Sequence, residues 1–409
     1  MEPSDSKPIC SPRRVRRIVF AASAIGIVGQ TAGAQAPTVP VRRLGPIIAT
    51  FADTLGGGST IRPLSDGRVL VNDPRKQRLI LLDTALETAA IVADTTSGTA
   101  KAYGDGLIGL VPLSGDSSLT MDRLTRALLV LDGAGKVSRI IKIPLNPRSP
   151  LDVFAAPVGF DRAGHLVYAP PQTPFLLLLD RGFVGDTLMH GPDSVAVLRQ
   201  DLATNRIDTL VMLQAPRVRQ AITRRVNGGN GRPAINPIQS SDDWTVLNDG
   251  TLAVVRVRDY HIDWVGPDGR VTSGPKIPMQ WRRLTDSMKV AIMDSIRARD
   301  IAMGMGRDDG PLPLVQRRVY VEPSDLPDYW PPFASGFTRG DAEGNLWVRA
   351  NRATPPDGSV VYDVIDRNGQ LIDRVQIPNS QTLVGFGPGV AYLMSRNGST
   401  ARLSKARIH

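Results

Sequence analysis

A single cysteine, Cys10, stands ahead of an apolar run near the N-terminus, and no other follows it. Disulfides and thiolate metal sites are therefore excluded as supports for the fold, which must be held by burial. Histidine is nearly as scarce: His165, His190, His261 and His409 show no H-x-H, HExxH or His–Cys spacing, so zinc has no ligand pattern. G-x-S-x-G is missing, which removes the nucleophile elbow of a serine hydrolase, and no catalytic residue stands out. Beyond residue 36 no apolar run is long enough to cross a bilayer as a helix. The formal net charge is +10, but the basic residues form no blocks interleaved with aromatics, which make up only 5% of the chain. Nucleic acid is not an expected partner.

The first residues are a separate case. Arg13, Arg14, Arg16 and Arg17 form a basic n-region, residues 18–28 are an apolar run too short to span a membrane comfortably, and Ala32-Gly33-Ala34 and Ala34-Gln35-Ala36 both offer an A-x-A cleavage site. Residues 1–36 are expected to be a signal peptide, and the mature chain to be periplasmic or secreted.

What the chain has in quantity is repetition. GKVSRIIKIP at 135–144, GRVTSGPKIP at 269–278 and GQLIDRVQIP at 369–378 set a glycine, an apolar residue two positions on, and Ile-Pro at the end. Apolar residues at even offsets describe a strand with one buried face. Each copy follows a second short run ending in Asp/Asn/Gly punctuation, LLVLDGAG, HIDWVGPDG and VYDVIDRNG, which makes a hairpin. Pro275 removes a backbone donor and assigns its strand to a sheet edge. Weaker hairpins lie at 79–92 and 195–213. A further signal, a turn glycine followed by an apolar strand, recurs at Gly67, Gly106, Gly164, Gly250, Gly344 and Gly389.

One unit thus contains four strands, and six units predict an all-β, six-bladed β-propeller of four-stranded antiparallel blades over residues 41–409, with one helical insertion. The stretch VRRLGPIIATF at 41–51 has no unit of its own. It is expected to supply the outer strand of the last blade and close the ring. The units resemble the six-bladed propellers of the NHL and TolB-like superfamily, in particular its secreted bacterial members. Asn72-Asp73 followed by Arg78-Leu79-Ile80 is similar to the NHL pattern of strand, Asp, then Arg-Ile. The resemblance implies the fold and is silent on activity.

The turn glycines are unevenly spaced, where an unadorned blade needs about 40–45 residues. The extra residues, near 113–124, 170–193, 214–240 and 279–332, fall between second and third strands or between blades. An up-and-down topology puts those connections on one face, which reads as a binding surface. Within 279–332, residues 284–300 predict a helix capped by Thr285 or Asp286, with Leu284, Met288, Ile292 and Ile296 as its apolar stripe. It would cover either the channel mouth or a patch of the ring.

The expected binding residues are Arg217, Arg219, Arg224, Arg225, Trp281, Tyr329 and Trp330. The arginines lie in 214–240, a stretch without an acid, and offer forks for carboxylate or phosphate, although a solvated charged loop has the same composition. The aromatics suit a wall beside a ligand, or loop packing. The function expected is a monomeric binding scaffold for a small anionic ligand, a peptide or a partner protein, with no cofactor. The alternative is a lactonase or lyase of the gluconolactonase type, a family that gathers Glu, Asn and Asp around calcium in the channel. Its metal ligands stay unassigned here, because Asp66, Asp105, Asp249 and Glu343 precede turn glycines, where turn geometry alone favours an acid.

Overall fold

The computed structural model describes residues 39–96, 103–104, 107–113, 115–122, 125, 127–142, 157–170, 184–217, 219–225, 228–305, 318–352 and 356–408. The expected signal peptide, 1–36, lies outside them. Three short strands come first, β1 (Val41–Arg43), β2 (Ile47–Thr50) and β3 (Leu55–Gly56), and four-stranded antiparallel sheets follow in chain order. One sheet contains β4 (Thr60–Pro63), β5 (Val69–Asp73), β6 (Arg78–Leu82) and β7 (Ala89–Ala93). The next has β8 (Leu107–Pro112), β9 (Ser118–Asp122), β10 (Ala127–Leu131) and β11 (Val137–Lys142). A third has β12 (Pro157–Phe160), β13 (Leu166–Tyr168) and, after an excursion through β14 (Gly185–His190), β15 (Ser194–Gln200) and β16 (Ile207–Gln214).

Strands β17 (Arg219–Arg225) and β18 (Gly228–Pro233) leave this series and join β14 in a separate three-stranded sheet. The series resumes with β19 (Asp243–Val246), β20 (Leu252–Arg256), β21 (His261–Val265) and β22 (Val271–Ser273). A helix, α1 (Asp286–Ala302), separates it from β23 (Arg339–Gly340), β24 (Leu346–Ala350), β25 (Val360–Ile365) and β26 (Leu371–Ile377). The last sheet has β27 (Gln381–Gly387), β28 (Val390–Asn397) and β29 (Thr400–Arg407), with β2 antiparallel against β29, while β1 runs parallel to β26.

Burial follows strand position. The second strands are sealed on both faces, as in β5 and β9, where every residue is buried, whereas the fourth strands β7 and β11 are largely exposed. The first strands touch in sequence, β4 with β8, β8 with β12, β12 with β19, β19 with β23 and β23 with β27, and β27 also touches β4. Apolar layers fill the space between neighbouring sheets: Leu70, Leu79 and Leu131 in one, Val197, Val254 and Val265 in another, Trp347, Tyr362 and Leu393 in a third. The layer of Ile61, Val69, Ile80, Tyr392 and Leu403 joins the sheet of β4–β7 to that of β27–β29. Each large side chain buried in this way stabilises by about 1.5–3 kcal/mol. The molecule is nearly all β, with sheets ranged side by side in the manner of a β-propeller.

Local chemistry explains the hairpins. Gly135, Gly269 and Gly369, which open the repeated segment, have φ of 78°, 78° and 76°, a left-handed position that a β-carbon disfavours. Asp132 and Asp366 each accept two backbone N–H groups in the same turns. Strand β22 is the short edge strand that Pro275 requires.

Two sequence expectations need correction. Residues 113–124 are not an insertion: they turn from β8 into β9, and Gly115, at φ 63°, takes the turn position assigned to Gly106. The DGLIGLV segment is thus a first strand: its glycine-plus-apolar pattern matches that of second strands elsewhere, but it pairs with β9, the strand that follows Gly115. In α1, Thr285 is the cap, its side chain accepting from Met288 N, but Met288 itself is 41% exposed. Leu284, Ile292 and Ile296 of the expected stripe do meet the apolar layer, while the fully buried helix positions are Lys289, Met293 and Asp300. The helix is turned by the layer it meets, Ala234, Ile238, Tyr320, Val321 and Leu326 from both neighbouring connections. No helix among the described residues is long and apolar enough to cross a membrane.

Candidate functional site

The connections at 169–193, 215–242 and 274–338 meet one another. β14 pairs with β17, Ile235 pairs with Tyr320, and α1 packs over the same cluster. At the base of α1, Leu284 N donates to Asp328 O (2.7 Å) and Trp330 N donates to Arg282 O (3.0 Å), forming a two-stranded ribbon of 281–284 and 328–330. Side chains alternate along extended chain. Trp281 and Tyr329 therefore share one face, and Arg282 and Trp330 the other.

Trp281 and Tyr329 meet edge to face, centroids 6.3 Å apart and planes at 88°. They are 41% and 48% exposed, so they form a wall beside solvent rather than a piece of core. They line a depression of about 390 Å³ together with Gln214, Arg217, Asn236, Ser240 and Arg258. Arg258 Nε donates to Gln214 Oε1 (3.0 Å), and Asn236 Nδ2 donates to the Arg217 carbonyl (3.0 Å). Neither guanidinium makes an ion pair within the described residues.

The acids beside them are already engaged. Asp325 faces Arg219 Nε at 2.9 Å and accepts Glu322 N, and Asp328 faces Lys289 Nζ at 2.7 Å. The Lys289 hydrogen bond, then its charge, holds the Asp328 carboxyl below its ordinary value, and Arg217 adds a smaller through-space effect. The depression thus presents two guanidinium groups without an ion pair among the described residues, amide and hydroxyl groups, and an aromatic edge. That set suits a carboxylate or phosphate attached to an apolar or planar body.

The expected residues divide accordingly. Arg217, Trp281 and Tyr329 come together. Trp330 faces the opposite side of the ribbon, where the Arg282 guanidinium lies 5.3 Å from its ring centre. Arg219 is committed to Asp325. Arg224 and Arg225 stand opposite Gly229 and Gly228 in β17, and their side chains lie outside the described residues. Arg258 and Gln214 were not anticipated, since Gln214 ends an ordinary strand and Arg258 stands in the turn between β20 and β21, with no local signal.

A larger depression, about 580 Å³, opens where the first strands turn into the second strands, between Arg62, Phe160, Val246, Leu247 and Phe386. Its carboxylates serve the turns. Asp116 accepts the Ser65 N–H and hydroxyl (both 2.7 Å), Asp161 accepts two backbone N–H groups and faces His165 Nδ1 at 2.8 Å, and Asp249 accepts Thr251 N and faces Arg367 at 2.9 Å. Asp66 likewise accepts Arg68 N. Among the described residues no three His, Cys, Asp or Glu side chains are grouped to hold a metal ion. The smaller depression is the better candidate because Arg217 and Arg258, which line it, make no ion pair among the described residues.

No family model matches the chain. No curated protein matches it either. Several solved structures are similar to it. Virginiamycin B lyase from Staphylococcus aureus is 12% identical over 87% of this chain and 99% of its own, with a TM-score of 0.37. A gluconolactonase from Xanthomonas campestris is 14% identical over 91% and 98%, at 0.38, and a duf4221 family member from Bacteroides vulgatus is 9% identical over 90% and 96%, at 0.41. Likenesses this distant carry no activity to this chain.

Proposed function

We propose that this chain is an exported, monomeric, six-bladed β-propeller of the NHL/TolB-like kind, closed by β2 as outer strand of the last blade, and that it binds an anionic ligand on its insertion-bearing face. The ring is supported by the return of β27 to β4 and by the apolar layer between those two sheets. Export, to the periplasm or beyond, rests on the sequence of residues 1–36.

The binding reading is carried by one observation: Arg217 and Arg258, which make no ion pair among the described residues, line the same depression as the Trp281–Tyr329 pair. A ligand bound only by the folded protein raises stability by RT ln(1 + [L]/Kd), about 2.7 kcal/mol at a hundred times Kd. Thermal unfolding with a panel of small carboxylates and phosphates is the test. At least one class is expected to raise the melting temperature of the wild type, and the rise should disappear in the R217A/R258A double variant and shrink in W281A. A rise that survives in the double variant, or none with any anion, overturns the assignment.

A further inference from the structure

The depression around Arg217 is open at both ends. Gln214 and Arg258 also line a neighbouring depression of about 480 Å³, and Asn236, Ile238 and Pro331 also line another of about 490 Å³. The three adjoin one another through these shared residues, the last on the far side of the 281–284/328–330 ribbon, and along this groove the charges are ordered. In the first, Asp242 and Asp263 share Arg256 at 2.8 and 2.6 Å, His261 lies between Asp259 (2.7 Å) and Asp263 (3.2 Å), and Lys276 approaches Asp259 at 3.3 Å. Asp193 lines the same wall, is exposed, and makes no ion pair within the described residues. Four carboxylates thus outnumber the cations at this end.

The remainder of the groove has the opposite sign. Arg258 and Arg217 come next, and beyond the ribbon Arg282 lies over Trp330 and, among the described residues, its guanidinium donates to the Asn351 carbonyl. Arg352, farther along, shares the buried Asp363 with Arg374, at 3.0 and 3.3 Å, so this end keeps an excess of positive charge. Complementary charge along a groove sets register and rejects partners of the wrong sign.

We propose that this groove binds an extended peptide with basic character at one end and acidic side chains at the other, the basic part against Asp193 and Asp259, the acidic part against Arg258, Arg217 and Arg282. The proposal rests on the anion reading and deepens it. A small anion occupies only the middle depression. A uniformly anionic chain, such as an oligogalacturonide, meets repulsion at the Asp193 end, whereas a polypeptide carries both signs. The aromatic faces on either side of the ribbon offer apolar contact to the intervening residues.

The test uses fluorescence anisotropy with labelled peptides of about ten residues, extended at roughly 3.3 Å per residue. One has a lysine block joined through Gly-Ser to a glutamate block, a second has the same residues in alternating order, and a third has the glutamate block alone; an oligogalacturonide competes with each. The block peptide is expected to bind at least about threefold more tightly than the other two. D193N and D259N, at exposed and part-exposed positions, should remove that advantage, and R217A should weaken all three. Equal affinity for the three peptides, or an oligogalacturonide that outcompetes the block peptide, overturns the peptide assignment while leaving the anion reading intact. Absence of binding by every probe, in wild type and R217A alike, overturns both.

Discussion

Lys289 Nζ lies 2.7 Å from Asp328 Oδ1, so the buried side of α1 is tied to the residue that precedes Tyr329. The lysine is 4% exposed and sits one turn from the fully buried Met293, while its partner carboxylate reaches solvent. The long aliphatic stem joins the apolar layer and the ammonium group emerges at its edge. The helix and the aromatic wall are therefore one mechanical unit.

This contact predicts a pH dependence. Asp328 is held below the ordinary 3.8, first by the hydrogen bond from Lys289 and then by its charge. A depressed carboxyl contributes stability that is present above 3.8 and is lost as pH falls through the lower folded value. The melting temperature of D328N should lie below wild type near neutrality, and the two curves should converge in acid. A constant gap down to the lowest accessible pH would count against the contact.

Two turn glycines with the same sequence signal should respond differently to alanine. Gly164 and Gly250 have φ of 84° and 81°. A β-carbon at Gly164 meets open space, whereas at Gly250 it would lie 2.3 Å from Arg162 N and 2.7 Å from the Asp161 carbonyl carbon, in the neighbouring sheet's turn. G164A is expected to cost about 1–2 kcal/mol from backbone strain alone. G250A must also displace backbone and should exceed about 3 kcal/mol. Urea midpoints with unchanged slope check the order.

Removing residues 39–50 strips β2 from β29 and β1 from β26, and leaves the Ser404–Ala406 part of the β29 edge bare while β3 still covers Thr400 and Ala401. A shortened protein lacking them should melt at least about 5 °C lower and self-associate, visible by light scattering. Unchanged melting and a monodisperse sample would show that β2 does not close the ring.

Calcium separates the scaffold reading from the gluconolactonase-type alternative. The carboxylates of the larger depression are occupied by turn N–H groups and cations. Millimolar calcium is therefore expected to leave the melting temperature unchanged. A calcium-dependent rise lost on Asp116→Asn or Asp161→Asn would favour the alternative.

The hairpins could be read from the chain because their causes are local: side chains alternate with a period of two, and a left-handed turn position selects glycine within a few residues. Residues 269–278 and 369–378 became strands and turns as their pattern implies, and so did the edge position forced by Pro275. Phase within a unit is less local. Gly106 precedes an apolar run and Gly115 a polar one, yet the pairing of β8 with β9 puts the first-to-second turn at Gly115. The face of α1 was settled by distant residues 320–326, which buried Lys289 and left Met288 in water.

The site divides in the same way. Sequence determined that arginines and aromatics would crowd the long connections. Arg217 and Arg219 stand two positions apart with the same chemistry, yet only Arg219 finds a carboxylate, because Asp325 arrives from a different connection. Arg258 enters the site from the turn between β20 and β21 by proximity alone. Strand and turn propensity act over a few residues, so the sequence determined the units; charge pairing and concavity depend on groups a hundred residues apart, so only the tertiary structure decided which cations were left for a ligand.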